Sequence, residues 1–129
     1  MIQNAGSGRS APPGMDEVAT ATFRATSEAD EAAQLLKDRL GFGAYYVPAR
    51  LAIARSLSIP EKPPAASGSP GRAIKGENLF GKGEELATWL SLFVEYEQRP
   101  IRDIADLQNR VRDHWVRGMG LLKCLMEES

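Results

Sequence analysis

The stretch that decides the fold is residues 101–126, IRDIADLQNRVRDHWVRGMGLLKCLM. Its large apolar side chains recur every three or four residues, the spacing that lines one face of an α-helix. These side chains are Ile104, Leu107, Val111, Trp115, Met119, Leu122 and Met126. Because Pro100 ends any helix before it, the sequence predicts a long last helix from about Ile101.

Two glycines interrupt that helix. Gly118 and Gly120 each cost about 1 kcal/mol relative to alanine in a helix interior. We therefore expect either a local kink or the close approach of another backbone, and a subunit interface would be one such approach.

The first helix is predicted to begin near Ser27, whose side chain can accept a hydrogen bond from the amide of Asp30. It should run to about Leu40, because Gly41 suits the left-handed position that closes a helix. Residues 1–26 hold few large apolar groups, so we expect a disordered N-terminal tail followed by a single helical domain over residues 27–129. The true start could be Met1 or Met15.

Two further helices lie between these. Pro48–Leu57 has proline in its first turn and an apolar stripe at helical spacing. Glu84–Arg99 also has a broad apolar face. Between them, Ile59–Lys75 is rich in Pro and Gly, which favours a long mobile loop, and residues 74–83 resemble a turn or short hairpin. The predicted fold class is all-α: a compact bundle of about four helices with a long Pro/Gly-rich loop between helices two and three. We expect Leu79 and Phe80 to dock on its core.

Composition excludes several classes of function. The chain has 129 residues, enough for one domain, and no apolar stretch long enough for a membrane helix. No apolar signal segment is visible, so a cytoplasmic location is expected. With one Cys and one His, no disulfide framework or metal site is expected within the chain, and no cofactor.

Catalytic chemistry is equally poorly supported. His114 is predicted to be an ordinary helix-surface or half-buried histidine, and Cys124 a small buried hydrophobe. No nucleophile is paired with a base, and the glycines near Lys82 do not match a P-loop. We therefore do not expect an enzyme.

The net charge is −1, but residues 41–82 carry six basic and two acidic groups. The basic groups include Arg50, Arg55, Arg72, Lys75 and Lys82. They form either a solvated face with a basic loop or a phosphate-binding patch.

Aromatic residues interleave with these cations. Phe42, Tyr45 and Tyr46 lie between the pairs Lys37/Arg39 and Arg50/Arg55. Such groups can stack on bases and contact phosphates. The alternative is that Phe42 and one tyrosine belong to the core, while the arginines pair with Glu31, Asp38 or Glu95.

Short motifs carry a family resemblance. Residues 35–41, the run PARLAIARSL at 48–57, GENLFG at 76–81 and HWVRG at 114–118 resemble stretches of the DndE family of DNA sulfur modification proteins. The similarity spans about Ser27–Glu127. It implies a small all-helical accessory component, without catalysis, of the system that replaces a non-bridging phosphate oxygen of DNA with sulfur.

The resemblance also implies partners and site residues. The expected partners are DNA, a cysteine desulfurase, a sulfotransferase-like iron–sulfur subunit, an ATPase and further copies of the chain. The expected phosphate contacts on duplex or nicked DNA are Arg50, Arg55, Lys75 and Lys82, with Lys37 and Arg39 as further candidates. Arg50 could instead bond the acidic first turn of a neighbouring helix. The alternative function is an assembly factor that bridges the sulfur-transfer and ATPase subunits without touching DNA.

Overall fold

The computed structural model describes residues 11–128. These residues form six helices and one two-stranded antiparallel sheet. In chain order the elements are α1 (Met15–Thr20), β1 (Thr22–Phe23), α2 (Ser27–Leu40), α3 (Tyr46–Leu57), β2 (Ile74–Lys75), α4 (Gly76–Phe80), α5 (Glu84–Glu97) and α6 (Ile104–Glu128). The fold is therefore mainly helical, and the expectation of a purely all-α fold is corrected by the small sheet.

The four longer helices, α2, α3, α5 and α6, are the four that the sequence predicts. The left-handed Gly41 that closes α2 is confirmed, with φ 73°. The N-cap is Thr26 rather than Ser27, and its side chain accepts from the amide of Ala29. Helix α6 starts at Ile104 rather than Ile101 because Asp103 caps it by accepting from the amide of Asp106.

The centre of the fold is the contact between α3 and α6. Ile53 on α3 and Trp115 on α6 are fully buried. Gly118 lies directly against the backbone of Ala52, where a Cβ atom would overlap the carbonyl group. The close backbone approach expected at Gly118 is thus confirmed, and it is made by α3 of the same chain. At Gly120, by contrast, a Cβ atom would meet no atom of residues 11–128 within 4 Å outside its own stretch of helix.

The N-terminal stretch differs from the prediction. Residues 1–10 lie outside the described part of the chain, but α1 and β1 occupy positions 15–23 of the predicted disordered tail. Val18 and Phe23 are buried in the core, and Thr22–Phe23 pairs with Ile74–Lys75. The composition of residues 1–26 hides this, because two large apolar side chains and a short strand pairing suffice to attach the segment.

The sheet leads directly into α4, so the predicted turn or hairpin at residues 74–83 is wrong. Gly76 opens this helix where no Cβ would fit against the carbonyl oxygen of Val18. The expected docking of Leu79 and Phe80 is confirmed, since both are fully buried. Phe80 packs edge-on against Phe23 and Phe93.

Residues 58–73 connect α3 to β2 and are fastened at several points. Tyr96 on α5 donates its hydroxyl to the carbonyl oxygen of Ile59, at 2.7 Å. Asp113 on α6 accepts from the amide of Ala66, at 2.9 Å. Farther along, the amide of Gly71 donates to the carbonyl oxygen of Ala25. These bonds place the end of the connection beside the start of α2.

A buried ion cluster closes the turn between α5 and α6. Asp106 accepts from Arg110 at 2.9 Å and from Arg99 at 3.3 Å, and Arg110 also donates to the carbonyl oxygens of Arg99 and Pro100.

None of the helices within residues 11–128 combines the length and the hydropathy that a membrane span requires.

Candidate nucleic-acid interface

Two tyrosines at the beginning of α3 each carry an arginine over the ring. The guanidinium of Arg72 lies 4.4 Å from the ring centroid of Tyr45, and that of Arg50 lies 4.4 Å from the ring centroid of Tyr46. These distances are those of cation–π contacts. We call the surface formed by Tyr45, Tyr46, Arg50, Arg72 and Lys75 the tyrosine–arginine face.

A cavity of about 420 Å³ opens on this face. Its wall contains both tyrosines, Arg72, Lys75 and Asn78 and, among the described residues, no acidic side chain. Lys75 is exposed on β2. The cavity therefore combines two aromatic rings, two cations and an amide, a set that suits an anionic ligand with flat groups.

Local bonding holds Arg72 in place. Its amide donates to the carboxylate of Asp30 on α2. The preceding Gly71 is buried so close to Asp30 that a Cβ would lie 2.6 Å from the carboxylate oxygen. Glycine is required there because any side chain would push the connection away from α2, and the Arg72 side chain would leave Tyr45.

Tyr45 is half-buried, and its hydroxyl faces the same carboxylate. Burial raises the pKa of Tyr45 above its ordinary value, and a hydrogen bond to Asp30 and the charge of Asp30 raise it further, while Arg72 acts in the opposite direction. The phenol therefore stays protonated at physiological pH, so the ring beneath Arg72 is neutral.

Arg50 has structural bonds of its own. Its Nε donates to the carbonyl oxygen of Leu79 at 2.6 Å, and its Nη1 lies 3.6 Å from the carboxylate of Glu85. Glu85 is in the first turn of α5. The alternative in which Arg50 bonds the acidic first turn of a neighbouring helix is therefore confirmed, whereas the pairing of the arginines with Glu31, Asp38 or Glu95 is wrong.

The remaining predicted contacts are dispersed. Lys82 pairs with Glu77 at 3.3 Å and lines a different groove, beside α1. Arg55 is exposed at the C-terminal end of α3, where it donates to the side chain of Ser58. Lys37 and Arg39 lie in the last turn of α2. Of the six predicted site residues, the structure brings only Arg50 and Lys75 to the tyrosine–arginine face, and a role in DNA binding stays a prediction for all six.

Sequence reasoning does not name Arg72 of the face, or Asn78 of the cavity wall, as a site residue. Arg72 stands out only as part of the basic segment, and Asn78 carries no signal of a role. Arg72 follows Gly71 in a segment without helical or strand periodicity, so no pattern links it to Tyr45. Its place in the basic segment is the one signal that points to it.

A second polar cluster is buried between α3, α5 and α6. Ser56 Oγ lies 2.8 Å from Nδ1 of His114, and Arg117 Nε donates to the same Oγ at 2.8 Å. Since a guanidinium only donates, the Ser56 oxygen accepts from Arg117, and the direction of its hydrogen bond with Nδ1 follows the tautomer of His114. Burial lowers the pKa of His114 to about 4, and the charge of Arg117 contributes. Both Ser56 and His114 are almost completely buried.

The sequence predicts that His114 lies on the helix surface or is half-buried. In the structure it is almost completely buried. Cys124 also differs from expectation, because it is exposed near the end of α6, beyond the part of the helix that packs on the core. Residues 11–128 contain no group of three or more His, Cys, Asp or Glu side chains arranged to hold a metal ion.

The fold and the site define a small, mainly helical protein with tyrosines and arginines stacked on one face. The family model of the DNA sulphur modification protein DndE matches residues 22–128, so the chain belongs to the DndE family. The family is involved in DNA sulfur modification. A comparison with curated proteins found no match.

Proposed function

We propose that this protein is a non-catalytic DNA-binding subunit of a DNA phosphorothioate modification system, and that it binds duplex or nicked DNA through the tyrosine–arginine face. The observation that carries the proposal is the stacking of Arg72 on Tyr45, 4.4 Å from the ring centroid, beside the exposed Lys75.

Stacking suits an arginine for phosphate recognition. A guanidinium above a ring keeps its N–H groups at its edge, where they can donate to phosphate oxygens in pairs. The exposed ammonium of Lys75 adds a second phosphate contact, and the tyrosines offer flat surfaces to bases or sugars. Because the net charge of the chain is −1, affinity depends on this local arrangement rather than on overall attraction.

The non-catalytic part of the proposal is supported by the state of the chain's one histidine. Ser56 and His114 are in contact, yet both are buried and Ser56 also accepts from Arg117. A nucleophile needs access to its substrate. The sulfur chemistry would then belong to other subunits, for which we propose a cysteine desulfurase, a sulfotransferase-like iron–sulfur protein and an ATPase. We also propose that the chain associates with further copies of itself.

The test is duplex binding across about 50 to 200 mM salt, where each phosphate contact contributes roughly one unit to the logarithmic salt slope. We compare the parent protein with Arg72→Gln plus Lys75→Gln. A matched control, Arg102→Gln plus Lys123→Gln, removes the same charge away from the face. We expect the slope to fall by about two units in the first variant and to stay unchanged in the second.

Intact and nicked duplexes are titrated in the same experiment, with the oligomeric state recorded. Equal losses in both double variants would mean that only overall charge matters, and the tyrosine–arginine face would be rejected. Absence of binding to either duplex at about 50 mM salt would reject direct DNA contact by the isolated subunit.

One observation favours the second candidate, an assembly factor that bridges the sulfur-transfer and ATPase subunits. A groove of about 700 Å³ between α1 and α5 has apolar walls that include Met15 and Ala87, with Asp16 and Glu84 among its acidic residues. Apolar grooves with charged rims are typical of protein interfaces.

This candidate is tested by co-purification with the other subunits. Ala87→Arg places a large side chain in the groove, whereas Thr88→Arg places it on the next exposed position of α5, outside the groove. We expect co-purification to be lost only with Ala87→Arg if the groove is an interface. Retention in both variants would reject it.

A further inference from the structure

A second polar pocket is lined in part by Ala66, Gly68 and Pro70 of the connection between α3 and β2. It has a volume of about 310 Å³, and its walls include Thr22, Arg24, Thr26, Gln108, Asn109 and Arg112. Arg24 follows β1, and Arg112 belongs to α6, so two separate parts of the chain each contribute a guanidinium. We call it the arginine pocket.

The charge of this pocket is positive. No acidic residue of the described chain lines it, and its two titratable side chains are arginines. Asp113 supplies the carboxylate that pairs with Arg112, 3.8 Å from Nε. The same carboxylate oxygen accepts from the amide of Ala66 at 2.9 Å, and this bond helps to hold residues 58–73 against α6.

The hydrogen-bonding capacity of the two arginines is only partly used. Arg24 donates from Nη1 to the carbonyl oxygen of Gly71, and Arg112 donates from Nη2 to the side chain of Asn109. Nε of Arg112 is buried and makes no hydrogen bond to any residue in the described chain. The Asp113 carboxylate, 3.8 Å away, lies beyond hydrogen-bond distance of this nitrogen. A buried donor without a hydrogen bond is uncommon and calls for an explanation, which an acceptor bound in the pocket would supply.

We propose that the arginine pocket binds a phosphate monoester, held by Arg24 and Arg112. A dianion matches two guanidinium groups in charge, and its three terminal oxygens can accept from both. The volume is at the lower end of the range for small-molecule sites, which fits a nucleotide or a single terminal nucleotide of a nucleic acid. This proposal does not depend on DNA binding at the tyrosine–arginine face, because the two sites share no side chain.

The experiment is a titration of ¹⁵N-labelled full-length protein with sodium phosphate at constant ionic strength, followed by amide chemical shifts. We expect saturable shifts centred on residues 66–69 and Asn109. Arg24→Gln and Arg112→Gln should each weaken binding roughly tenfold or more, as for loss of a charge-assisted hydrogen bond. Far-UV circular dichroism confirms that each variant is folded, and Arg112→Lys should restore part of the affinity.

Arg72→Gln tests whether phosphate instead binds the tyrosine–arginine face, and the matched control is Arg102→Gln, which removes an exposed arginine that lines neither the pocket nor that face. We expect both variants to bind phosphate as the parent protein does. If Arg72→Gln abolishes the shifts while Arg112→Gln leaves them, phosphate binds the tyrosine–arginine face and the proposal is wrong. Shifts that grow linearly without saturation would also overturn it.

Further arms identify the source of the phosphate. AMP, adenosine, and an oligonucleotide with or without a 5′-phosphate are titrated in the same way. Tighter binding of AMP than of the phosphorylated oligonucleotide supports a free nucleotide, and the reverse order supports a nucleic-acid end. Adenosine binding as strongly as AMP would overturn the proposal, since the phosphate would then contribute nothing.

Discussion

Gly118 on α6 lies so close to Ala52 on α3 that a Cβ at Gly118 would overlap the carbonyl oxygen of Ala52. The two helices therefore approach backbone to backbone at the middle of the core. The fully buried Ile53 and Trp115 flank this point. The cost of a glycine within a long helix is thus offset by close packing of the two helices that organise the rest of the bundle.

This contact predicts opposite effects for two neighbouring glycines. Gly118→Ala should destabilise the protein by about 1–3 kcal/mol, because the new methyl group forces α3 and α6 apart. Gly120→Ala should stabilise it by about 0.5–1 kcal/mol, because the position is exposed and a methyl group there would meet no other element of the described chain within 4 Å. Urea denaturation of both variants measures their free energies of unfolding. Equal effects of the two substitutions would contradict the packing described.

The buried His114 predicts a pH-dependent stability. In the folded protein its pKa is lowered to about 4, whereas in the unfolded chain it is about 6.5. Between these values the unfolded chain binds a proton that the folded protein does not, so stability decreases as the pH falls from about 6.5 to about 4. Over this whole pH range the free energy of unfolding decreases by about 3 kcal/mol.

Urea denaturation at several pH values between these limits measures the slope, with His114→Gln as the control. Glutamine can hydrogen-bond with Ser56 in either direction but does not titrate, so this variant should be less stable overall yet lose most of the pH dependence in that range. A parent and a variant with the same pH slope would show that the histidine is not responsible.

The ion cluster at the α5–α6 turn should be sensitive to loss of its acid. Burial alone would raise the pKa of Asp106, but hydrogen bonds from the Arg102 amide, Arg110 and Arg99 lower it on balance. Asp106→Ala should cost about 3–5 kcal/mol, because Arg110 is left buried and unpaired. Arg102→Gln, which changes an exposed arginine 4.0 Å from the carboxylate, should cost less than about 1 kcal/mol. Thermal unfolding compares the two, and similar losses would refute a special role for the buried pair.

The long helices could be predicted from the sequence because each buries a stripe of large side chains at helical spacing. Helix α6 has the clearest stripe, and its prediction erred by three residues where Asp103 takes the capping position. Helices α1 and α4 have six and five residues, too few to show a period. Their positions depend on tertiary packing of Val18 and Leu79, which local patterns do not contain.

The candidate site was only partly predictable for a related reason. Arginine and lysine side chains show no burial pattern, so their partners are set by the fold rather than by spacing. Tyr45 and Arg72 meet because Asp30 holds the Arg72 amide, a relationship among three separate segments. Charge density located the basic segment, and contacts decided which of its members share a surface.

Arg50 and Arg55 occupy the same helix, and the structure predicts different roles for them. Arg50→Gln removes the 2.6 Å bond to the carbonyl oxygen of Leu79 and the pairing with Glu85. It should therefore destabilise the protein by about 1–2 kcal/mol, as expected for a partly buried charged hydrogen bond. Arg55→Gln removes one exposed bond to Ser58 and should change stability by less than about 0.5 kcal/mol.

Chemical denaturation of the two variants, with duplex affinity measured on the same samples, separates structural from binding effects. We expect Arg50→Gln to lower both stability and affinity, because Arg50 orders the Tyr46 side of the tyrosine–arginine face. Arg55→Gln should alter neither beyond the loss of one long-range charge, since Arg55 lies at the other end of α3. An Arg55→Gln variant that binds DNA as poorly as Arg50→Gln would move the interface to the C-terminal end of α3 and away from the tyrosines.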